Sequence, residues 1–475
     1  MGPLSAMLRP AEWPCGGNRV RKPIDELNDK ARPTAHLLAR FMPFIVSALG
    51  GFLFGYDNGG IAGSLLFIRH DFALSGFATG IVVSSLILGA VLSAGIAGKL
   101  TDIYGPRRLL MAAGFILTIG SLSAALSFNV AMLVISRIII GIGTGTATVQ
   151  VPLYLSEMAP TRIRGALTSL FQIMIASGIL VAFLVSYALA HTGAWRIMLG
   201  VAAAPSFVMF VGMWLQPESP RWLCRRGLIA EARAVLLQRR PTEEVDREIA
   251  DMQRASARPD APLRRLLQDR RIRRGMIIAT LLTVLNDLTG ITAVNYYAPT
   301  IFRAAGVGAA NAILISVGLQ IMTVGCTVLA SLIVDAVGRR TLLLGGSLFM
   351  ALAMGLLAWI FSTVGGLHGV ALAIAVASIA LFKAAFALSW GPLLWVVVPE
   401  LLPLRARGRG MGLATTFNWI GIYMIVLLFP MLLDLGASLV FLFFLVTNVA
   451  GFAFAFATLT ETSRIPLEQL ELGPH

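Results

Sequence analysis

Glu157-Met-Ala-Pro160-Thr-Arg162-Ile-Arg164-Gly165 reads E-x-x-P-x-R-x-R-G, and Glu400-Leu-Leu-Pro403-Leu-Arg405-Ala-Arg407-Gly408 repeats it. Each copy lies between two long apolar runs, so each reads as a short charged hinge between membrane helices. A second motif also recurs. Gly98-Lys-Leu-Thr-Asp102-Ile-Tyr-Gly105-Pro-Arg107-Arg108 returns as Asp335-Ala-Val-Gly338-Arg339-Arg340, at nearly the same spacing along the chain. Two motifs repeating at one offset divide the chain into two related halves.

Composition sets the class. The 475 residues are 57% hydrophobic and 13% charged, where soluble domains carry about 25% charged residues. Mean hydropathy is +0.80. Windows of about 20 apolar residues recur along the chain, and roughly twelve are long enough to span a bilayer as helices. Related halves made of such helices are the construction expected of a transporter whose substrate lies between them. The net charge of +14 sits in short links between spans, the positive-inside pattern of cytoplasmic loops, so membrane topology explains it without nucleic acid. Cys15, Cys224 and Cys326 have no metal-ligand spacing, so neither a zinc site nor a disulfide framework is expected.

The expected organisation is a polar cytoplasmic tail at 1–40, spans one to six at 41–216, a helical linker at 217–274, spans seven to twelve at 275–459, and a tail at 460–475. Residues 1–40 show no signal-peptide core. Both termini are therefore expected on the cytoplasmic side.

Polar residues inside spans are the functional candidates. Asp57 lies in Phe54-Gly-Tyr-Asp57-Asn58 of the first span, and an acid at that depth faces a partner or a water-filled cavity. Arg137 in the fourth span does not deprotonate, so it needs an anion, and Asp57 is the obvious one. Gly141-Ile-Gly143-Thr-Gly145 lies within a membrane helix and reads as close helix packing rather than a dinucleotide loop. Gln172 in the fifth span reads as helix glue or as a substrate ligand. Asn286, Asp287, Gly290, Thr292 and Tyr296 crowd the seventh span and suggest irregular backbone lining a cavity. In the tenth span Lys383, Phe386 and Trp390 share one helix face by spacing, and Gly391-Pro392 is expected to bend the helix. Asn418-Trp419 mark the eleventh. Asp287 and Lys383 could pair across the cavity, since each alone is costly in hydrocarbon, or receive a polar or charged ligand.

Taken together these residues resemble the sugar porter family of the major facilitator superfamily, from Gly50 to about Arg464. The resemblance rests on the Phe-Gly-Tyr-Asp segment, both Gly/Asp/Arg turns, Arg137, Pro152-x-Tyr154-x-x-Glu157, both Arg-Gly hinges, Pro217-Glu218-Ser-Pro-Arg221 and Trp390-Gly-Pro. It implies an all-α polytopic membrane protein of the major facilitator fold, with twelve transmembrane helices in two pseudo-symmetric six-helix bundles. It also implies proton-coupled symport of a monosaccharide or polyol, because the proton-driven members carry aspartate at the position of Asp57. The implied proton-coupling pair is Asp57 and Arg137. The implied substrate contacts are Phe54, Gln172, Tyr296, Phe386, Gly391, Trp395, Asn418 and Trp419; Asn286, Asp287, Thr292 and Lys383 are further substrate-binding candidates by their own chemistry. The implied cytoplasmic gate comprises Asp102, Arg107, Glu157, Arg164, Glu218, Arg221, Asp335, Arg339, Glu400 and Arg407, with ion pairs that break as the protein turns inward.

The sequence departs from the family at Asn286-Asp287-Leu-Thr-Gly290-Ile-Thr292, where Gln-Gln-x-x-Gly-x-Asn is usual, and at Lys383. Export of a sugar-like or charged metabolite is therefore an alternative reading, and sugar sensing without transport is another. No catalytic motif, metal cluster or cofactor signature is present, so no enzyme activity and no cofactor are expected. A multi-pass monomer in the plasma membrane, a bacterial inner membrane, is expected.

Overall fold

A computed structural model of the chain describes the backbone at residues 22–159, 164–238, 242–256, 268–363, 369–402 and 404–459. Among these residues there is no strand. The helices are α1 (Lys22–Asp71), α2 (Gly76–Tyr104), α3 (Pro106–Ala125), α4 (Val130–Met158), α5 (Arg164–Ala188), α6 (Trp195–Gly200) and α7 (Ala203–Trp214). Short helices α8 (Pro220–Arg225), α9 (Ile229–Leu237) and α10 (Thr242–Ser256) follow. The second half holds α11 (Arg270–Leu288), α12 (Ile291–Ala304), α13 (Ala309–Val337), α14 (Arg339–Thr363), α15 (Val370–Leu388), α16 (Trp390–Glu400), α17 (Leu404–Leu435) and α18 (Ala437–Thr458). From Pro43 onward the chain packs as one unit.

Among the described residues, eleven segments are long and apolar enough to cross a bilayer. The first expected span, with Asp57, lies on α1. The exterior carries large apolar side chains such as Ile135, Leu332, Trp359 and Leu439. Such a surface would be a liability in water and is what hydrocarbon requires.

Local chemistry sets the helix ends. Ser75 and Asn129 cap α2 and α4 through side-chain oxygens that accept from Ala78 and Met132, and Asp269 caps α11. The repeated turn shows the relation between the halves directly. Gly105 and Gly338, at matching motif positions, both take left-handed backbone with φ of 86° and 95°. A side chain there is strained, which explains glycine at both.

Two boundaries depart from the expected ones. α4 runs through Pro152 to Met158, so the fourth span continues beyond Val151. The tenth span breaks at Ser389, before Gly391-Pro392, and Pro392 falls in the first turn of α16. A proline is tolerated there because that N–H has no helical partner. The break also separates the face assigned to Lys383, Phe386 and Trp390. Trp390 is buried and donates to Ser347 of α14 at 2.8 Å, whereas Lys383 turns to α13. The seventh span breaks as expected: Gly290, at φ 98°, separates α11 from α12. The carbonyls freed there are taken by α18, with Thr447 donating to Leu288 at 2.6 Å and Asn448 to Thr289 at 2.9 Å. Irregular backbone at membrane depth is tolerated where protein satisfies it in this way.

Candidate functional site: the buried polar groups between the halves

Asp57 is 8% exposed on α1. Its helix can approach α4 and α5 because glycines line it. A Cβ at Gly55 would collide with the Ile175 carbonyl of α5 and one at Gly50 with Val151 of α4, while on α4 itself one at Gly141 would collide with the Leu86 carbonyl of α2. The Gly141–Gly145 run is thus a packing surface, as the sequence suggests, and it carries a polar group. Thr144 within it donates to Asp57 Oδ2 at 3.2 Å. Arg137 lies two turns earlier on α4, on the same face as Thr144.

The guanidinium of Arg137 is not locked to Asp57. Its Nε donates to the Val82 carbonyl at 2.7 Å and an Nη donates to the Val83 carbonyl at 3.2 Å. No ion pair joins Arg137 to Asp57 among the described residues, although the two lie within electrostatic range. Tyr296 and Tyr297 of α12 lie within range of Arg137 as well. This arrangement brings the coupling candidates of the first half against the second.

The substrate candidates gather from both halves. Phe54 of α1 meets Trp419 of α17 with ring centroids 5.9 Å apart. Asn286, Asp287, Thr292, Tyr296 and Asn418 are all buried. Gln172 is half-buried on α5. The Phe386 ring packs over Gly391, 3.0 Å from where a Cβ would stand. The side chain of Trp395 lies outside the described residues.

Asp287 and Lys383 do not pair. Lys383 Nζ, 2% exposed, donates to Gln320 Oε1 at 2.9 Å. Gln320 Nε2 in turn donates to the Ala176 carbonyl of α5 at 3.1 Å. Asp287 Oδ2 has no hydrogen-bond partner. Sequence reading passed over Thr144 and Gln320. Thr144 was hidden in a glycine run read as packing. Gln320 carried a legible signal, a lone amide in an apolar span, the same signal that drew attention to Gln172.

At the Asp102 turn the described groups bond within the first half and α8. Asp102 pairs with Arg225 at 3.2 Å, and Ser219 donates to Glu157. Glu218 Oε1 accepts from the backbone N–H of Arg107 at 3.0 Å and of Ser219 at 3.1 Å. Burial pushes the Glu218 carboxyl above its ordinary range, against those two N–H donors. Arg107 also donates to the carbonyls of Met213 and Trp214, and Arg221 is exposed. In the second half, Arg340 lies over the Phe456 ring and donates to its carbonyl at 3.1 Å. Arg339 is half-buried beside it. The side chains of Arg164, Asp335, Glu400 and Arg407 lie outside the described residues.

Comparison with known proteins agrees with this architecture. Residues 44–472 match the family described as sugar (and other) transporter. The glucose transporter GlcP of Staphylococcus epidermidis is 41% identical over 91% of this chain and 96% of its own length. The galactose–proton symporter of Escherichia coli K12 is 35% identical over 91% and 93%. Among solved structures, the proton:xylose symporter XylE bound to 6-bromo-6-deoxy-D-glucose superposes with a TM-score of 0.75 at 28% identity, covering 91% of this chain and 98% of that one. An inward-open form of the E. coli xylose transporter superposes with a TM-score of 0.78 at 27% identity, covering 91% and 99%. On the repeated motifs, the helical architecture and these likenesses, the chain is a multi-pass membrane protein belonging to the sugar porter family of the major facilitator superfamily.

Proposed function

We propose that this chain carries a monosaccharide or polyol together with a proton across the plasma membrane by alternating access. Asp57 carries the reading. It is a buried carboxyl held by a neutral hydroxyl, with a permanent cation nearby that is anchored to backbone carbonyls instead. Burial disfavours a carboxylate and a nearby guanidinium favours it, so a change in their separation can load and release a proton. Relatives named as glucose and galactose–proton carriers support a sugar as the cargo.

In this reading Phe54, Trp419, Tyr296, Phe386 and Trp395 cover the apolar faces of the ring. Gln172, Asn286, Thr292 and Asn418 bond its hydroxyls, and Gly391 leaves room for them. The halves at 41–216 and 275–459 rock about this site, joined by the 217–274 linker. The turn and hinge motifs, with both termini, face the cytoplasm and close that side through Asp102, Arg107, Glu157, Arg164, Glu218, Arg221, Asp335, Arg339, Glu400 and Arg407. One chain holds both halves, so the monomer is the working unit.

The test is uptake of labelled monosaccharides and polyols into proteoliposomes under an imposed inward proton gradient. Native protein accumulates its sugar, whereas Asp57→Asn loses accumulation and keeps sugar exchange. Accumulation against a gradient by Asp57→Asn would overturn the coupling assignment.

A further inference from the structure

Asp287 lies at the end of α11, 2% exposed, with no basic side chain bonded to it among the described residues. Asp287 Oδ2, Asn286 Oδ1 and Asn418 Oδ1 are all buried without a partner. Helix packing sets Asp287 against α17, the helix that carries Asn418. Oδ2 stands 3.2 Å from where a Cβ of Gly421 would be, and Gly421 is one turn along α17 from Asn418. With Asp287 ionised, all three atoms are acceptors. A buried acceptor without a donor costs about 1–3 kcal/mol, and an uncompensated carboxylate more. Such a cluster is satisfied by a ligand that brings both donors and positive charge.

Two cations have that chemistry, an alkali ion and an ammonium group. Alkali ions at broken transporter helices draw on freed backbone carbonyls. Here the carbonyls freed at Gly290 are already bonded by Thr447 and Asn448. Three side-chain acceptors remain, and an ammonium has three N–H donors. The other buried cation described in this half, Lys383, is turned to Gln320 and leaves Asp287 uncompensated. A neutral sugar would also leave the carboxylate without a counter-charge. Beside Asn418, Trp419 offers an apolar face for a ring.

We infer that Asp287 makes this site selective for a monosaccharide carrying a protonated amino group, held by Asp287 with Asn286 and Asn418. This inference rests on the sugar-symport reading and narrows its cargo.

The test is calorimetric titration of the purified full chain in detergent with glucosamine, galactosamine and mannosamine. The neutral parent hexoses and the N-acetyl derivatives are the controls, because acetylation keeps the nitrogen and removes the charge. Native protein is expected to bind one amino hexose at least about tenfold more tightly than its parent and its N-acetyl form, the size of a charge-assisted hydrogen bond. Asp287→Asn and the larger Asp287→Gln are each expected to lose that preference, the ratio of amino-hexose to parent-hexose affinity falling to about one. Equal or tighter binding of neutral sugars by native protein overturns the inference, as does a preference that survives in both variants. Sugar binding that requires sodium, and loses that requirement in Asp287→Asn, overturns it in favour of a metal ion. If neutral hexoses bind and accumulate with protons but amino sugars gain nothing, the inference alone falls. If no monosaccharide binds native protein, the sugar-symport reading falls with it.

Discussion

Lys383 Nζ donates to Gln320 Oε1 at 2.9 Å, and Gln320 passes the link to the Ala176 carbonyl at 3.1 Å. This connects α15 and α13 of the second half to α5 of the first through fully buried polar groups. A lysine in such a place is stable only while its partner holds it. Gln320→Leu is expected to lower stability by about 1.5–3 kcal/mol, the worth of a hydrogen bond to a charged group. Lys383→Met in the Gln320→Leu background is expected to recover most of it. Thermal unfolding of the two single variants and the double variant in detergent reads this out, and simple additivity would remove the link as a unit.

Arg137 uses two guanidinium nitrogens on two successive carbonyls, Val82 and Val83. A lysine ammonium is a single point and cannot reproduce that fork. Arg137→Lys, which keeps the charge, is expected to reduce proton-driven uptake at least about tenfold, one charged hydrogen bond's worth. Uptake kinetics in proteoliposomes check it. Native-like uptake would mean that charge alone suffices at this position.

Gly105 and Gly98 belong to one motif but have opposite needs. Gly105 has φ 86°, and a Cβ there would stand 2.7 Å from the Glu218 carboxyl; Gly98 has nothing within 4 Å. Gly105→Ala is expected to destabilise by at least about 1 kcal/mol from the left-handed backbone alone. Gly98→Ala, on the helix α2, is expected to be neutral or to stabilise by about 0.5–1 kcal/mol. Melting temperatures of the two variants decide the matter.

Glu218 sets a pH dependence. Its carboxyl is raised by burial, so the folded chain binds that proton more tightly than the unfolded chain. The folded state therefore loses stability as pH rises from about 4.3, the ordinary glutamate value, through the folded value. Glu218→Gln keeps an oxygen for the Arg107 and Ser219 N–H groups and removes the titration. The melting temperature of the variant relative to native protein is expected to rise as pH is raised above the ordinary glutamate range. A constant difference would show that Glu218 does not titrate there.

The candidate site was legible to the extent that its residue types are rare in hydrocarbon. Asp57, Arg137, Asp287 and Lys383 stood out because a charge in an apolar span needs a reason. Their partners did not stand out. Pairing Asp287 with Lys383 was sound on charge alone, yet α15 turns Lys383 to an amide on α13. The tenth-span break at Ser389 lies two or three residues before Gly391-Pro392, because the proline follows the break and does not make it.

By itself the sequence determined the recurrent membrane spans, the repeated motifs and the glycine turns at Gly105 and Gly338. These follow from apolar run length and backbone sterics, which are local properties. Only the tertiary structure decided that Thr144 holds Asp57, that carbonyls hold Arg137, that Gln320 holds Lys383, and that Asp287 keeps an oxygen with no partner. A helical period says which residues share a face. Which neighbour that face meets depends on the rotation and crossing of helices far apart in the chain, and that is set by packing as a whole.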